Sequence, residues 1–214
     1  MKMSCIFLVR HGEVEGNYGP ERSFTGWGDK PLTERGEAQA RAVAEKLAGE
    51  PLRAVYSSDL QRAHATAQAI AAKHDLAVIA DPALREVNYG LWEGLGDRQL
   101  LEQWGDWWRR RVADPQNVAP PEGESYADLW KRLEPAWARI LQNHAHESVA
   151  IVGHNGSLRL LLCHLLGAPL SNARHIRLMN TSVSCVEIER NPMETGTSRL
   201  VITGINDTCH LAGI

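Results

Sequence analysis

Nowhere in these 214 residues is there a run of about 18 apolar residues, the length a membrane-spanning helix requires. The one apolar stretch near the start, "CIFLV", is too short for the hydrophobic segment of a secretion signal and runs directly into Arg10. Cysteine is scarce. Cys5, Cys163, Cys185 and Cys209 lie far apart with no C-x-x-C pair, which excludes a thiol-based metal ribbon or a dithiol redox motif. Two of them fall in apolar runs, so buried reduced thiols and a cytoplasmic location are expected. Charge of one sign is also missing: the net charge is −3, with no basic block to attract nucleic acid or a membrane surface. Any anion must therefore be held by a few local cations. Repeats, low-complexity tracts and a D-x-D carboxylate cluster are absent as well, so no metal and no cofactor are expected.

What is present is the composition of one globular core, with 43% hydrophobic and 23% charged residues. Residues 1–214 read as a single domain. "SCIFLV", "RAVYSS", "LAVIA" and "SVAIVG" are brief, β-branched and bounded by small or polar residues, as buried strands are. Helical patterns alternate with them. In "LTERGEAQARAVAEKLAG", Ala40, Val43, Ala44 and Leu47 recur at helical spacing, Thr33 can cap the start, and Gly49 and Pro51 end it. "SDLQRAHATAQAIAAKH" is a second helix and "NGSLRLLLCHLLG" a third. The fold class that follows is α/β: a three-layer α/β/α arrangement with a mostly parallel central sheet. A Trp-rich helical block from about 91 to 146 breaks the alternation and reads as a lid inserted over the ligand edge, with Ser125 and Asp128 starting its second helix. "SVSCVEIER" and "SRLVITGIN" read as a hairpin or two edge strands.

Ligands of open α/β sheets sit beyond the carboxyl ends of the strands. Three such ends carry cations or imidazoles. The first strand runs into Arg10-His11-Gly12, the second is followed by Arg62 in the first turn of a helix, and "SVAIVG" ends in His154-Asn155-Gly156. Taken singly, each is an ordinary structural residue; at three neighbouring sheet-edge positions, one shared site accounts for them more economically. Arginine forks match phosphate oxygens, an imidazole can take a phosphoryl group covalently, and Glu86 in "LREVNYG" can protonate a leaving alcohol.

The segments "LVRHGEVEGN", "FTGWGDKPLTERGEAQA", "VYSSDLQRAHATAQAI", "LREVNYGLWEG" and "AIVGHNGSLRLL", in that order, resemble the histidine phosphatase superfamily, whose fold is phosphoglycerate-mutase-like. The resemblance spans Ile6 to about Gly167. It implies that His11 is the phosphorylated nucleophile and Glu86 the proton donor. Arg10, Arg62 and His154 would form the phosphate pocket, with Asn17, Thr25, Gly26 and Asn155 near the substrate. The partner implied is a small-molecule phosphate ester; oligomeric state is left open.

Mutases of the family place Arg and His directly after the catalytic Glu, whereas Val87 and Asn88 stand here, which favours the phosphatase branch. The expected activity is metal-independent hydrolysis of a broad-specificity, α-ribazole-phosphate or phosphoserine type. The alternatives are a phosphoglycerate-type mutase and a phospho-ligand module without turnover. Two further stretches are read as structural. "HAHE", His144 to Glu147, is taken as an exposed helix end rather than a metal cluster. "WGDWWRRR" is taken as a lid helix with a buried Trp side and solvated Arg109, Arg110 and Arg111.

Overall fold

The computed structural model describes residues 4–17, 19, 22–190 and 198–214. The four apolar runs become parallel strands: β1 (Ser4–Arg10), β2 (Leu52–Ser57), β3 (Val78–Ala80) and β4 (Ser148–Gly153). β5 (Val183–Arg190) and β6 (Ser198–Asp207) add an antiparallel pair, giving one six-stranded sheet in the order β3-β2-β4-β1-β5-β6. The parallel strands are apolar on both faces because helices cover both. The helices are α1 (Glu34–Leu47), α2 (Gln61–Ala72), α3 (Asp97–Ala113), α4 (Tyr126–Asn143) and α5 (Asn155–Leu165). Thr33 caps α1 by accepting from the Gly36 amide at 3.0 Å, and α4 opens on the Ser125–Asp128 capping box.

The period-2 alternation of β1 divides the core. Cys5, Phe7 and Val9 pack with Val43, Ala44 and Leu47 of α1 and with Ala63, Ala67 and Ile70 of α2. Ile6 and Leu8 face the opposite layer, with Leu129, Leu133, Trp137 and Ile140 of α4 and Leu158, Leu161 and Leu162 of α5. β1 and β4 are parallel neighbours, in register from Ile6–Val149 to Arg10–Gly153. Yet the helix after β1 lies on one face and the helix after β4 on the other. Connections that leave adjacent strands in opposite directions open a crevice at their carboxyl ends. His11 and His154 are the first residues beyond those two ends.

The block from about 91 to 146 divides in two. α4 is part of the core layer, since Leu129, Leu133, Ala136 and Ile140 are wholly enclosed. α3, kinked at Trp104, is the portion that lies outside the layered core, and of its residues only Leu100 and Arg111 are buried. The expected solvation of the three arginines holds for Arg109 and Arg110 and fails for Arg111. Its guanidinium donates to the carbonyls of Val118 at 2.6 Å and Glu124 at 3.3 Å, and stacks 5.4 Å from the Tyr126 ring. Trp108 rather than Trp107 forms the packed side, against Phe24 and Trp92.

The thiols need a second correction. Cys5 and Cys185 are joined as a disulfide, while Cys163 and Cys209 are free. Antiparallel pairing sets Cys185 opposite Phe7, on the face that Cys5 shares, with the two Cα atoms 6.4 Å apart. A separation of 180 residues concealed that neighbourhood. The "HAHE" end also proves engaged: the His144 ring lies 2.8 Å from the Tyr56 hydroxyl and 2.7 Å from a Glu147 carboxylate oxygen. Among the described residues no cluster of metal-ligating side chains is present, and no helix is long and apolar enough to cross a membrane.

Candidate active site

His11 follows β1 directly, its amide donating to Gly153 O at 3.0 Å so that the two strand ends stay level. Its Nδ1 lies 2.6 Å from the carbonyl oxygen of Gly12. A carbonyl only accepts, so Nδ1 carries the ring proton and Nε2 holds the lone pair. Among the described residues Nε2 has no hydrogen-bond partner. The turn beyond it is tight: a Cβ on Gly12 would lie 2.5 Å from Gly36 O, so only glycine lets α1 approach this closely.

Three residues surround that ring. His154 is fully enclosed, its ring centroid 5.1 Å from that of His11, and among the described residues neither of its ring nitrogens has a hydrogen-bond partner. Arg62, 1% exposed, donates to Gly26 O at 2.6 Å and Gly28 O at 2.8 Å, while its Nε has no hydrogen-bond partner among the described residues. Arg10 donates to Leu178 O at 2.7 Å. The loop before β5 braces this end of the sheet: Thr181 N donates to Arg10 O, and Asn180 Nδ2 donates to His11 O at 2.8 Å and Asn17 Oδ1 at 3.2 Å.

Glu86 enters from the opposite layer. One of its oxygens accepts from Val87 N and the other from Gly156 N in the first turn of α5, both at 2.9 Å. A Cβ on Gly156 would sit 2.2 Å from Glu86 Oε1, so glycine is what admits the carboxylate. The backbone around it is clamped by Arg132 of α4. That guanidinium donates to the carbonyls of Ala83, Arg85 and Glu86 at 3.0, 3.0 and 2.7 Å, and bidentately to Glu124 at 2.8 Å. Trp27 Nε1 also donates to Glu86 O, at 2.8 Å. The Glu93 carboxylate gathers the amides of Gly26, Trp27, Gly28 and Tyr89, tying the 26–28 turn to this segment.

A cavity of about 120 Å³ opens over these groups, lined by Arg10, His11, Asn17, Thr25, Glu86, Tyr89 and Asn155 among others. It shares Arg22 and Ser23 with a wider groove of about 750 Å³ that runs to the start of α3. Of the residues expected here, Arg62 and His154 are buried and are not among the residues lining the cavity. Gly26 stands apart, its N–H spent on Glu93 and its carbonyl on Arg62. The sequence reading missed Arg132, Glu124, Glu93 and Asn180. Glu93 falls within "LREVNYGLWEG", and Asn180 lies two residues before "SVSCVEIER"; for Arg132, one more charge on an amphipathic helix, no sequence signal existed.

Over residues 6–197 the chain matches the family model of the histidine phosphatase superfamily, branch 1. It belongs to that superfamily. Phosphoserine phosphatase 1 of Hydrogenobacter thermophilus is 34% identical over 209 residues, covering 98% of this chain and 95% of the relative. A Yersinia enterocolitica protein named "Probable phosphoglycerate mutase GpmB" is 36% identical over 209 residues, with the same coverage. A mycobacterial glucosyl-3-phosphoglycerate phosphatase, solved with VO3, superposes with a TM-score of 0.81 at 27% identity, covering 96% of this chain and all of that one.

In this histidine phosphatase both imidazoles are held well below the ordinary value of 6.5. Burial is the main cause for each. Arg62 and Arg10 add to it for His11; Arg62, His11 and Arg10 add to it for His154. The unfolded chain protonates at the ordinary value and the folded one resists, so stability is complete above about pH 6.5 and falls as pH drops below it. Between pH 7.5 and 5.5, urea denaturation should show a loss of about 1 kcal/mol or more per histidine. His210, also lowered by burial, adds with the same sign. The depressed carboxylates Asp59, Asp128 and Asp207 act only below about pH 4 and stay outside this window. His154→Asn should shrink the loss, and an unchanged loss would refute this account.

Proposed function

We propose that this chain is a metal-independent phosphomonoester hydrolase, a single domain working through a phosphohistidine at His11 on a small phosphorylated metabolite. The observation that carries the proposal is the state of His11. Its Nδ1–H is committed to Gly12 O, its ring is kept neutral, and its Nε2 lone pair is open beside two arginines. In the first step Nε2 attacks phosphorus while the P–O bond to the alcohol breaks and Glu86 gives its proton to the departing oxygen. In the second, water attacks phosphorus, the P–N bond breaks, and Glu86 takes the proton back. Arg10, Arg62 and His154 meet the charge on the three equatorial oxygens, which a metal ion supplies in other phosphoryl-transfer sites.

The likeness to phosphoserine phosphatase and to glucosyl-3-phosphoglycerate phosphatase supports hydrolysis, and the likeness to GpmB supports a mutase reading. The surroundings of Glu86 favour hydrolysis. Val87 is wholly enclosed in the core, and Asn88 is spent on Glu124 and Gly90, so neither position offers a cation. The distinguishing experiment incubates the protein with 3-phosphoglycerate, phosphoserine, α-ribazole phosphate and p-nitrophenyl phosphate, following both inorganic phosphate and isomerised product. Phosphate release without 2-phosphoglycerate is expected. Isomerisation faster than release would establish the mutase instead.

A further inference from the structure

Glu86 hangs from a loop that neither helix nor strand orders. Residues 85–89 join two short turns, Pro82–Leu84 and Gly90–Trp92, so their backbone groups have no ladder to satisfy them. One side chain stands in for that ladder. Arg132 donates to the carbonyls of Ala83 and Arg85, each at 3.0 Å, and of Glu86 at 2.7 Å. It projects from α4 between Leu129 and Leu133, both wholly enclosed, so the donor stands on a rigid helix. Its Nε and Nη2 also engage the Glu124 carboxylate, both at 2.8 Å. Glu124 is in turn tied twice to the loop: its amide donates to Asn88 O at 2.8 Å, and its carboxylate accepts from Asn88 N at 2.9 Å.

The Glu86 carbonyl is held twice, because Trp27 Nε1 donates to it at 2.8 Å and fills its second lone pair. The Trp27 ring is itself gripped. The guanidinium carbons of Arg85 and Arg132 lie 4.9 and 5.8 Å from its centroid, and Asp59 anchors Arg85 at 2.7 and 2.5 Å. Peptide planarity carries that grip to the carboxylate. The C=O of Glu86 and the N–H of Val87 belong to one trans peptide, so they point in opposite directions and turn together. With the oxygen pinned by Arg132 and Trp27, the Val87 N–H is directed back at the Glu86 carboxylate, where it donates to Oε1 at 2.9 Å. The other carboxylate oxygen accepts from Gly156 N at 2.9 Å.

We infer that Arg132, with Trp27, is a positioning residue for the proton donor: it fixes the plane of the 86–87 peptide and thereby aims the Glu86 carboxylate at the leaving oxygen. This rests on the phosphatase reading above, in which Glu86 supplies that proton. Neither Arg132 nor Trp27 is among the residues lining the cavity, so both act through the backbone and not on the substrate. Geometry, not charge, is the operative property. A guanidinium fork reaches three carbonyls and a carboxylate at once, which a single ammonium cannot do. Lysine would keep the positive charge, which after burial, Arg62, His11 and Arg10 also opposes protonation of His154. It would not keep the peptide plane.

The test compares first-turnover rates on phosphoserine and on p-nitrophenyl phosphate. A displaced acid harms the ester whose oxygen needs a proton, so Arg132→Lys should lower the phosphoserine-to-nitrophenyl ratio by roughly 10–100-fold. Trp27→Phe removes the indole N–H and keeps an aromatic ring for the two arginines. It should lower the ratio by roughly 3–10-fold, and it serves alone if Arg132→Lys does not fold. A ratio unchanged in either folded variant overturns the inference, however far the absolute rates fall, because loss of packing alone slows both esters alike. If Glu86→Gln itself leaves the ratio unchanged, or neither ester is cleaved, the phosphatase reading fails instead. Hydrogen exchange at the Val87 amide, referred to the Ile151 amide of β4, then still decides whether Arg132 and Trp27 fix the carboxylate. Exchange roughly 3–10-fold faster in the variants is expected. Unchanged protection of Val87 overturns it.

Discussion

His11→Ala should reduce turnover by about 10⁴-fold or more on every substrate, because it deletes the atom that bonds to phosphorus. Wild-type protein quenched in mid-reaction should carry phosphate that acid releases and base does not. The variant should carry none. The fold is expected to survive. Although His11 is only 4% exposed, among the described residues its side chain makes a single hydrogen bond, to Gly12 O, and its protonation is opposed by burial first and then by Arg62 and Arg10. Removing it also relieves part of the acid-side instability, so the variant should unfold at higher urea than wild type at pH 5.5 relative to pH 7.5. Label recovered on a serine, or a variant that still turns over, would refute the phosphohistidine route.

Glu86→Gln should cost about 10²–10⁴-fold in the first turnover of a serine or sugar phosphate, and far less with p-nitrophenyl phosphate. An alkoxide cannot leave without a proton; a nitrophenolate can. Steady-state rates confuse the two steps, since Glu86 would also activate the water that frees His11. Glutamine further disturbs the site by presenting an amide N–H to one of the two backbone donors, Val87 N or Gly156 N, that the carboxylate now satisfies. That disturbance affects all substrates alike, so the alkyl-to-aryl difference isolates proton donation. Arg62→Ala provides the contrast. It removes charge stabilisation and the brace on Gly26 and Gly28, and should slow both ester types equally. An equal loss on both ester types with Glu86→Gln would end the case for Glu86. Glu13 would be a poor replacement, as its carboxylate is turned to Thr33 at 3.3 Å and Arg35 at 3.5 Å.

Much of this was readable in one dimension, for local reasons. β4 was expected over "SVAIVG" and occupies Ser148–Gly153, and the Thr33 and Ser125 caps start α1 and α4 as their side chains require. Arg10, His11 and His154 were legible because a charged or titratable group at the end of a buried strand must emerge at the sheet edge. Arg62 and Glu86 were legible only as companions to them. Arg111 was misread because a run of three arginines is normally solvated, and only the folded chain brings the carbonyls of Val118 and Glu124 to one of them.

By itself, then, the sequence determined the alternation of strands and helices, the polar groups at the strand ends, and the exclusion of thiol-ribbon and polyelectrolyte chemistry. Backbone propensity, side-chain periodicity and net charge act over a few residues or over the whole composition, so they survive in a string of letters. The tertiary structure alone decided which groups would be satisfied. It paired Cys5 with Cys185, set Arg132 across the carbonyls of the Glu86 segment, and braced His11 with Asn180. Whether a buried polar group finds a partner depends on ångström-scale approach between segments distant in the chain, and no local pattern records that distance.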